Sequence, residues 1–133
     1  MKNVVLIQLA ALMLIACSPN ADKQANELLA EIEQLYNNKQ FKQALDSIET
    51  LRQRFPRAVE ARKRALEIWD DASLQMAQAD IAKTDSAFLA IENLMQNETD
   101  IHKRNMLGVR RDSLQARYEA LCGVVKMIRH RQK

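Results

Sequence analysis

Residues 74–107 read LQMAQADIAKTDSAFLAIENLMQNETDIHKRNML and decide the fold of this chain. Across 74–95 the core candidates recur in alternating steps of three and four residues. After the polar segment 97–100, the same alternation continues across 107–128 when Arg111 is included. Such steps are heptad spacing, which is typical of helices that pack along one seam. Two seams joined by four polar residues predict an antiparallel coiled-coil-like helical hairpin.

Both arms of this hairpin are long. No Pro or Gly interrupts residues 57–96, which predicts a helix of about 60 Å at a rise of roughly 1.5 Å per residue. A second helix is predicted over 100–131, with Thr99 or Asp100 as its N-cap. Gly108 lies inside that second helix, so an alternative stays open in which it ends one short helix and another begins after it.

A second helical pair is predicted ahead of the long hairpin, over residues 23–38 and 41–54. Apolar residues recur along each segment at steps of three and four. The segment Phe55-Pro56 ends the pair, because the residue before a proline is displaced from helical backbone angles. Three apolar residues that follow are predicted to pack against the pair, with the single Trp as a core anchor: Val59, Leu66 and Trp69.

Residues 36–56 carry the pattern YxxxxFxxALxxIxxLxxxFP, which resembles a tetratricopeptide repeat, particularly the repeats of outer-membrane assembly lipoproteins. The resemblance implies that Ala44 is small because the two helices cross closely there. It departs from the family in the first helix, where Glu31 and Ile32 occupy the small-residue position. A shift by 34 residues finds no second repeat, and about three are needed for a stable stack. The resemblance therefore bears on architecture more than on function.

The N-terminus has the parts of an export signal: a positive n-region, an apolar segment over 4–15, and a Cys. Twelve apolar-rich residues fit a signal peptide and fall short of the ~20 of a spanning helix. Leu14-Ile15-Ala16-Cys17 resembles the lipobox of bacterial lipoproteins. That resemblance implies cleavage after Ala16 and attachment of lipid, such as palmitate chains, to Cys17. An ordinary secretory signal and an uncleaved anchor are the alternatives.

The predicted organisation is a cleaved signal peptide over 1–16, a lipidated Cys and short tether over 17–22, and a single all-α domain over 23–133. Within that domain, a TPR-like pair over 23–55 precedes the long antiparallel hairpin over 57–131. Ser18 follows the Cys where Asp would favour inner-membrane retention in Gram-negative lipoproteins. The same resemblance therefore favours an outer-membrane location, in the inner leaflet by default.

Charge is uneven along the chain. Residues 101–133 carry nine basic and two acidic side chains, net +7, whereas residues 17–100 have a net charge of −5. One interpretation is that the basic last helix packs beside acidic residues of the helix before it, and the other is a basic surface that binds an anionic partner. The first interpretation is favoured because four carboxylates are expected within reach: Asp70, Asp71, Asp80 and Asp85.

Candidate catalytic chemistry is not apparent in the sequence. His102 and His130 have no His or Cys at helical spacing, and no Gly-rich phosphate loop or nucleophile elbow occurs. We therefore expect no enzymatic activity, no cofactor and no metal. Cys122 shares a predicted helix face with Tyr118 and Val125, which favours burial, while an intermolecular disulfide stays an alternative.

These observations predict a lipid-anchored bacterial envelope protein that acts as a non-catalytic protein-binding or scaffolding module. The expected partner is another envelope protein, nucleic acid is not expected, and self-association stays open. An alternative is a structural lipoprotein linked to peptidoglycan, since Lys133 ends the chain as in the murein-lipoprotein type. Candidate partner-binding residues lie near the predicted turn and at the basic end: His102, Lys103, Arg104, Arg110, Arg129 and Arg131.

Overall fold

The computed structural model describes residues 19–133, and this part of the chain is all-α. Its four helices are α1 (Pro19–Asn37), α2 (Phe41–Arg54), α3 (Val59–Asn97) and α4 (Ile101–Arg131). Contacts group the chain into two compact units, unit 1 ending at Trp69 and unit 2 beginning at Asp70. The sequence predicts a single domain over 23–133, and within it α3 contributes its first part to unit 1 and the remainder to unit 2.

The first helix begins at Pro19, earlier than the predicted Lys23. Proline suits the first helical turn because its missing N–H is one that no intrahelical carbonyl would accept. Asp22, also in the first turn, complements the positive end of the helix dipole. The predicted tether over 17–22 is therefore too long, since its last four residues belong to α1. Cys17 lies outside the described residues.

A tight turn joins α1 to α2. The N–H of Gln40 donates to the carbonyl of Leu35 at 2.9 Å, and the N–H of Lys39 donates to that of Tyr36 at 2.9 Å. These two bonds form a Schellman motif, which caps the last carbonyls of a helix. Lys39 adopts φ 59° at the position where glycine is usual. Beyond the turn, the rings of Tyr36 and Phe41 lie 5.7 Å apart between centroids, so Phe41 fills the space between the two helices.

The core of unit 1 is built from small and branched residues of three helices. Ile32, Ile48 and Leu51 are fully buried, and so is Ala44, where the sequence predicted a close crossing. Ala58, just before α3, and the first part of that helix complete this core, with Ala61, Ala65 and Ile68 contributed by α3. The prediction that Val59 and Leu66 pack here is wrong, because they are 66% and 40% exposed.

Trp69 is half-buried and packs against the unit 1 core, which confirms its predicted role as an anchor. The guanidinium of Arg52 lies 5.2 Å from the centroid of its ring, a distance typical of a cation–π contact. The connection before α3 is also held by an arginine, since Nη1 of Arg62 donates to the carbonyl of Pro56 at 2.5 Å. Phe55-Pro56 ends α2 after Arg54, as predicted.

Unit 2 is an antiparallel pair made by α3 and α4. Two ion pairs show the antiparallel direction, because they join earlier residues of α3 to later residues of α4. Asp70 pairs with Arg131 and Asp80 with Arg117. Near the turn, a Cβ on Gly108 would lie 3.8 Å from Cε of Met95. The helix continues through Gly108 to Arg131, so the alternative of a break at this glycine does not occur.

Burial within unit 2 confirms the predicted seams. All seven heptad residues of α3 are buried or half-buried, with Ala77, Thr84 and Ile91 the most enclosed. In α4 the seam residues are likewise the least exposed, except Tyr118, which is 37% exposed. Arg111 is half-buried at its seam position. Two helices thus enclose one narrow line of side chains and leave both flanks open to solvent.

Candidate interaction site

The turn between α3 and α4 is fixed by Asp100. Its carboxylate accepts hydrogen bonds from the backbone N–H groups of His102 at 2.8 Å and Lys103 at 3.1 Å. Of the two predicted N-caps, Asp100 is therefore the one used. Glu98 Oε1 in turn accepts the N–H of Asp100 at 2.9 Å. These bonds satisfy N–H groups that no intrahelical carbonyl reaches, so the side chains at the start of α4 occupy defined positions.

The six predicted partner-binding residues are all exposed, and they fall into two groups. Four lie in the first ten residues of α4, whereas Arg129 and Arg131 lie in its last turn. The residues from Arg104 to Arg129 span about 38 Å along the helix. The structure therefore separates the predicted set into a turn-end group and a carboxyl-terminal group, which cannot contact one small ligand together.

Arg131 is held within unit 2. Its guanidinium forms an ion pair with the carboxylate of Asp70, whose residue is only 8% exposed. Farther along the hairpin, Nη2 of Arg117 lies 3.7 Å from Oδ2 of Asp80. Of the four carboxylates expected to lie within reach of the basic helix, Asp70 and Asp80 thus form ion pairs with it. Asp71 instead accepts from Nε2 of Gln75 at 2.8 Å.

The turn-end group borders a groove between α3 and α4. The groove has a volume of about 460 Å³ and is lined by Leu94, Glu98, Lys103, Met106, Leu107 and Arg110. Leu94 and Met106 are 56% and 64% exposed despite their apolar side chains. Among the described residues, Lys103 and Arg110 form no side-chain hydrogen bond or ion pair. Arg104 is tethered differently, because its Nε donates to the carbonyl of Glu98 at 3.4 Å.

The apolar half of this groove was missed by sequence reasoning. Leu94 and Met106 each immediately precede a seam residue, Met95 and Leu107. Heptad reading assigns the seam residue to the core and gives its neighbour no role. The available signal was a large apolar residue off the seam in both arms close to the turn.

The opposite flank of the hairpin carries Tyr118 and Cys122. Cys122 is exposed and unbonded to any other cysteine in the described chain, so its predicted burial is wrong. The neighbouring Cys122 side chain raises the pKa of Tyr118, chiefly because a thiolate there would repel the tyrosinate charge, and the hydrogen bond between the two side chains adds to this. The helix presents this pair to one side of the seam because i and i+4 residues share a face.

Arg62, Lys63 and Arg64 form a basic cluster in unit 1, of which Lys63 and Arg64 are exposed. Arg64 pairs with Glu67 at 2.8 Å and Glu33 at 3.3 Å. The pKa of Arg64 is raised first by the hydrogen bond that it donates to Glu67 and then by the one that it donates to Glu33. Exposed pairs of this kind contribute little to stability, because solvent screens the charges.

Residues 19–133 contain no group of three or more potential ligands placed to hold a metal ion. Among the helices of the same part of the chain, none has the length and hydropathy needed to cross a membrane. Comparisons with protein families, with curated proteins and with solved structures found no match to this chain.

Proposed function

We propose that this protein is a lipid-anchored, non-catalytic protein-binding module of the bacterial cell envelope. The observation that supports binding is the groove at the turn end of unit 2, where exposed Leu94 and Met106 lie beside unpaired Lys103 and Arg110. Exposed apolar side chains with convergent basic groups are typical of surfaces that bind other proteins. The capped turn supports the same function, because it fixes the backbone from which the side chains at the start of α4 extend.

Attachment to the envelope is proposed from Cys17 and its lipobox-like context. Two or more acyl chains anchor a protein stably, since each buried CH₂ contributes about 0.8 kcal/mol. Replacement Cys17→Ser should abolish labelling by radioactive palmitate and release the protein from washed membranes. A Cys122→Ser variant is the matched control and should stay labelled and membrane-bound. Retention and labelling of Cys17→Ser would disprove the anchor.

Protein binding is tested by placing a photo-crosslinking amino acid at position 106 in the full chain, in its own host. We expect a discrete protein adduct on irradiation. The control is the same probe at Ala120, an exposed position 14 residues farther along α4. No adduct at 106, or equal adducts at both positions, would contradict a binding surface at the turn.

A second candidate function is attachment to peptidoglycan. Lys133 is exposed and lies beyond the end of α4, so its amine is accessible to a transpeptidase. Digestion of purified peptidoglycan followed by mass spectrometry distinguishes the two candidates. Attachment requires a muropeptide bonded to Nζ of Lys133, which Lys133→Arg would eliminate. A passive binding module requires none.

A further inference from the structure

One line of basic residues on α4 faces a carboxylate near the middle of the helix and is unpaired toward the turn. Lys103, Arg110 and Arg117 are spaced by seven residues, so they occupy equivalent positions beside the seam. Arg117 lies 3.7 Å from Asp80 of α3. We compare this ion pair with the two equivalent positions nearer the turn, Arg110 and Lys103.

The equivalent positions on α3 change chemistry toward the turn. One and two heptads after Asp80 stand Ala87 and Leu94, neither of which carries a charge. Arg110 and Lys103 therefore have an apolar residue where Arg117 has a carboxylate. Lys103 and Arg110 form no ion pair within residues 19–133, so their charges are available to a binding partner.

Three apolar side chains lie beside these two basic residues. Leu94, Met106 and Leu107 line the groove between the helices, and Met106 adapts readily to different surfaces because its side chain is unbranched. From Lys103 to Arg110 the groove follows α4 for about 10 Å, or two helical turns. A groove between two packed helices accepts one face of a third helix, anchored by apolar side chains at i, i+3 or i+4, and i+7.

We propose that the partner segment is an acidic amphipathic helix, which places apolar anchors on Leu94, Met106 and Leu107 and carboxylates beside Lys103 and Arg110. This inference rests on the proposed binding function and names the chemistry of the partner. Glu98 lines the groove at the turn. Because a helix N-terminus is positive, the bound helix places its N-terminus toward Glu98.

An anionic membrane surface fits the same apolar and basic groups less well. Glu98 and Asp100 lie in the turn itself and would meet the lipid headgroups along with the groove residues. Two carboxylates there oppose approach to an anionic bilayer, since the attraction of each basic residue to such a surface is modest. The groove also follows two packed helices, a geometry that matches one face of a third helix.

The test uses the full-length chain anchored in phosphatidylcholine vesicles, with a Cys122→Ser background and an environment-sensitive dye on Met106→Cys. Two synthetic 14-residue helical peptides share the same Leu positions and differ in carrying Glu or Lys. We expect the Glu peptide to bind and shift the dye emission. Lys103→Glu with Arg110→Glu should weaken that binding about tenfold or more and create binding of the Lys peptide.

The matched control is Lys126→Glu with Arg129→Glu, the same charge change on exposed residues of α4 outside the groove. It should alter the affinity for the Glu peptide less than twofold. Equal binding of the two peptides, or no effect of the groove variant, overturns the proposal. A dye shift on phosphatidylglycerol vesicles without peptide, abolished by the groove variant while neither peptide binds, also overturns it and assigns the surface to lipid.

Failure of this inference is distinguishable from failure of the proposed function. A specific protein adduct from position 106 together with charge-insensitive peptide binding retains protein binding and rejects the acidic helix. Absence of that adduct rejects protein binding at this surface whichever peptide binds.

Discussion

Unit 1 and unit 2 bury their apolar residues in different ways. In unit 1, residues from three helices surround Ile32, Ile48 and Leu51, which are fully enclosed. In unit 2, two helices enclose a single seam, and most of its residues are only half-buried. A two-helix unit has little interior relative to its surface, so it gains less from burial and exposes both flanks. This difference in burial explains why the candidate binding surface lies in unit 2.

The largest effect on stability is expected from replacing one buried isoleucine in each unit. Ile48→Ala should lower the free energy of unfolding by about 4 kcal/mol, because a rigid enclosed site retains a cavity. Ile91→Ala in the seam should cost about 2 kcal/mol, because neighbouring side chains and solvent can fill the space. Urea denaturation followed by circular dichroism measures both.

The control for this pair is Leu89→Ala, since Leu89 is 58% exposed and its removal should change stability by less than about 0.5 kcal/mol. A cost for Ile91→Ala equal to or above that for Ile48→Ala would show that the seam is as tightly packed as the three-helix core.

The second test concerns the ion pair between Arg131 and Asp70. Arg131→Ala should destabilise the chain by about 1–3 kcal/mol, because it leaves the nearly buried carboxylate of Asp70 without its partner. The cost is limited by the exposure of the arginine side chain, which is 55%. Arg129→Ala, two residues away and exposed, should change thermal stability little. Similar effects of the two would mean that the pair contributes nothing specific to unit 2.

The third test concerns the capped turn between α3 and α4. Asp100→Ala should cost about 1 kcal/mol, since it removes the acceptor for two N–H groups of α4. Thr99→Ala is the matched control and should be nearly neutral. Thermal denaturation measures both, and hydrogen exchange at residues 102 and 103 should accelerate only in the first. A larger effect of Thr99→Ala would reassign the cap.

The smallest expected effect is a gain. Gly108→Ala should stabilise unit 2 by about 0.5–1 kcal/mol, because alanine favours the helix and restricts the unfolded chain. The added Cβ would meet Met95 Cε at 3.8 Å, an ordinary contact. Gly123→Ala, with no atom within 4 Å of the added Cβ, isolates the helical preference from that contact. A loss of stability at Gly108 alone would indicate closer packing near the turn.

The sequence predicted the helices and their seams well, because heptad spacing and the Phe55-Pro56 stop are local signals. Helix α2 has the predicted bounds of Phe41 and Arg54. The sequence predicted less well which face of α3 packs into the core of unit 1. Size favoured Val59 and Leu66, whereas close packing of helices selects small side chains, and the alanines of α3 provide them.

The candidate site could be predicted only in part. Exposure of the six basic residues followed from their positions off the seam, and the structure places all six at the surface. Their division into an open group and one containing the paired Arg131 depends on which carboxylate each reaches across the hairpin. That is a matter of register between helices, which charge counts do not contain. The burial predicted for Cys122 failed for a related reason, since position 122 lies one residue past the seam.

The capped turn also bears on the order in which unit 2 forms. Closing a short loop costs less chain entropy than closing a long one, so the contact between residues 95 and 108 should form before those near residues 70 and 131. We expect the hairpin to zip from its turn toward its open end, as local contacts precede distant ones. The groove residues would then meet early, before the last two turns of α4 pack against α3.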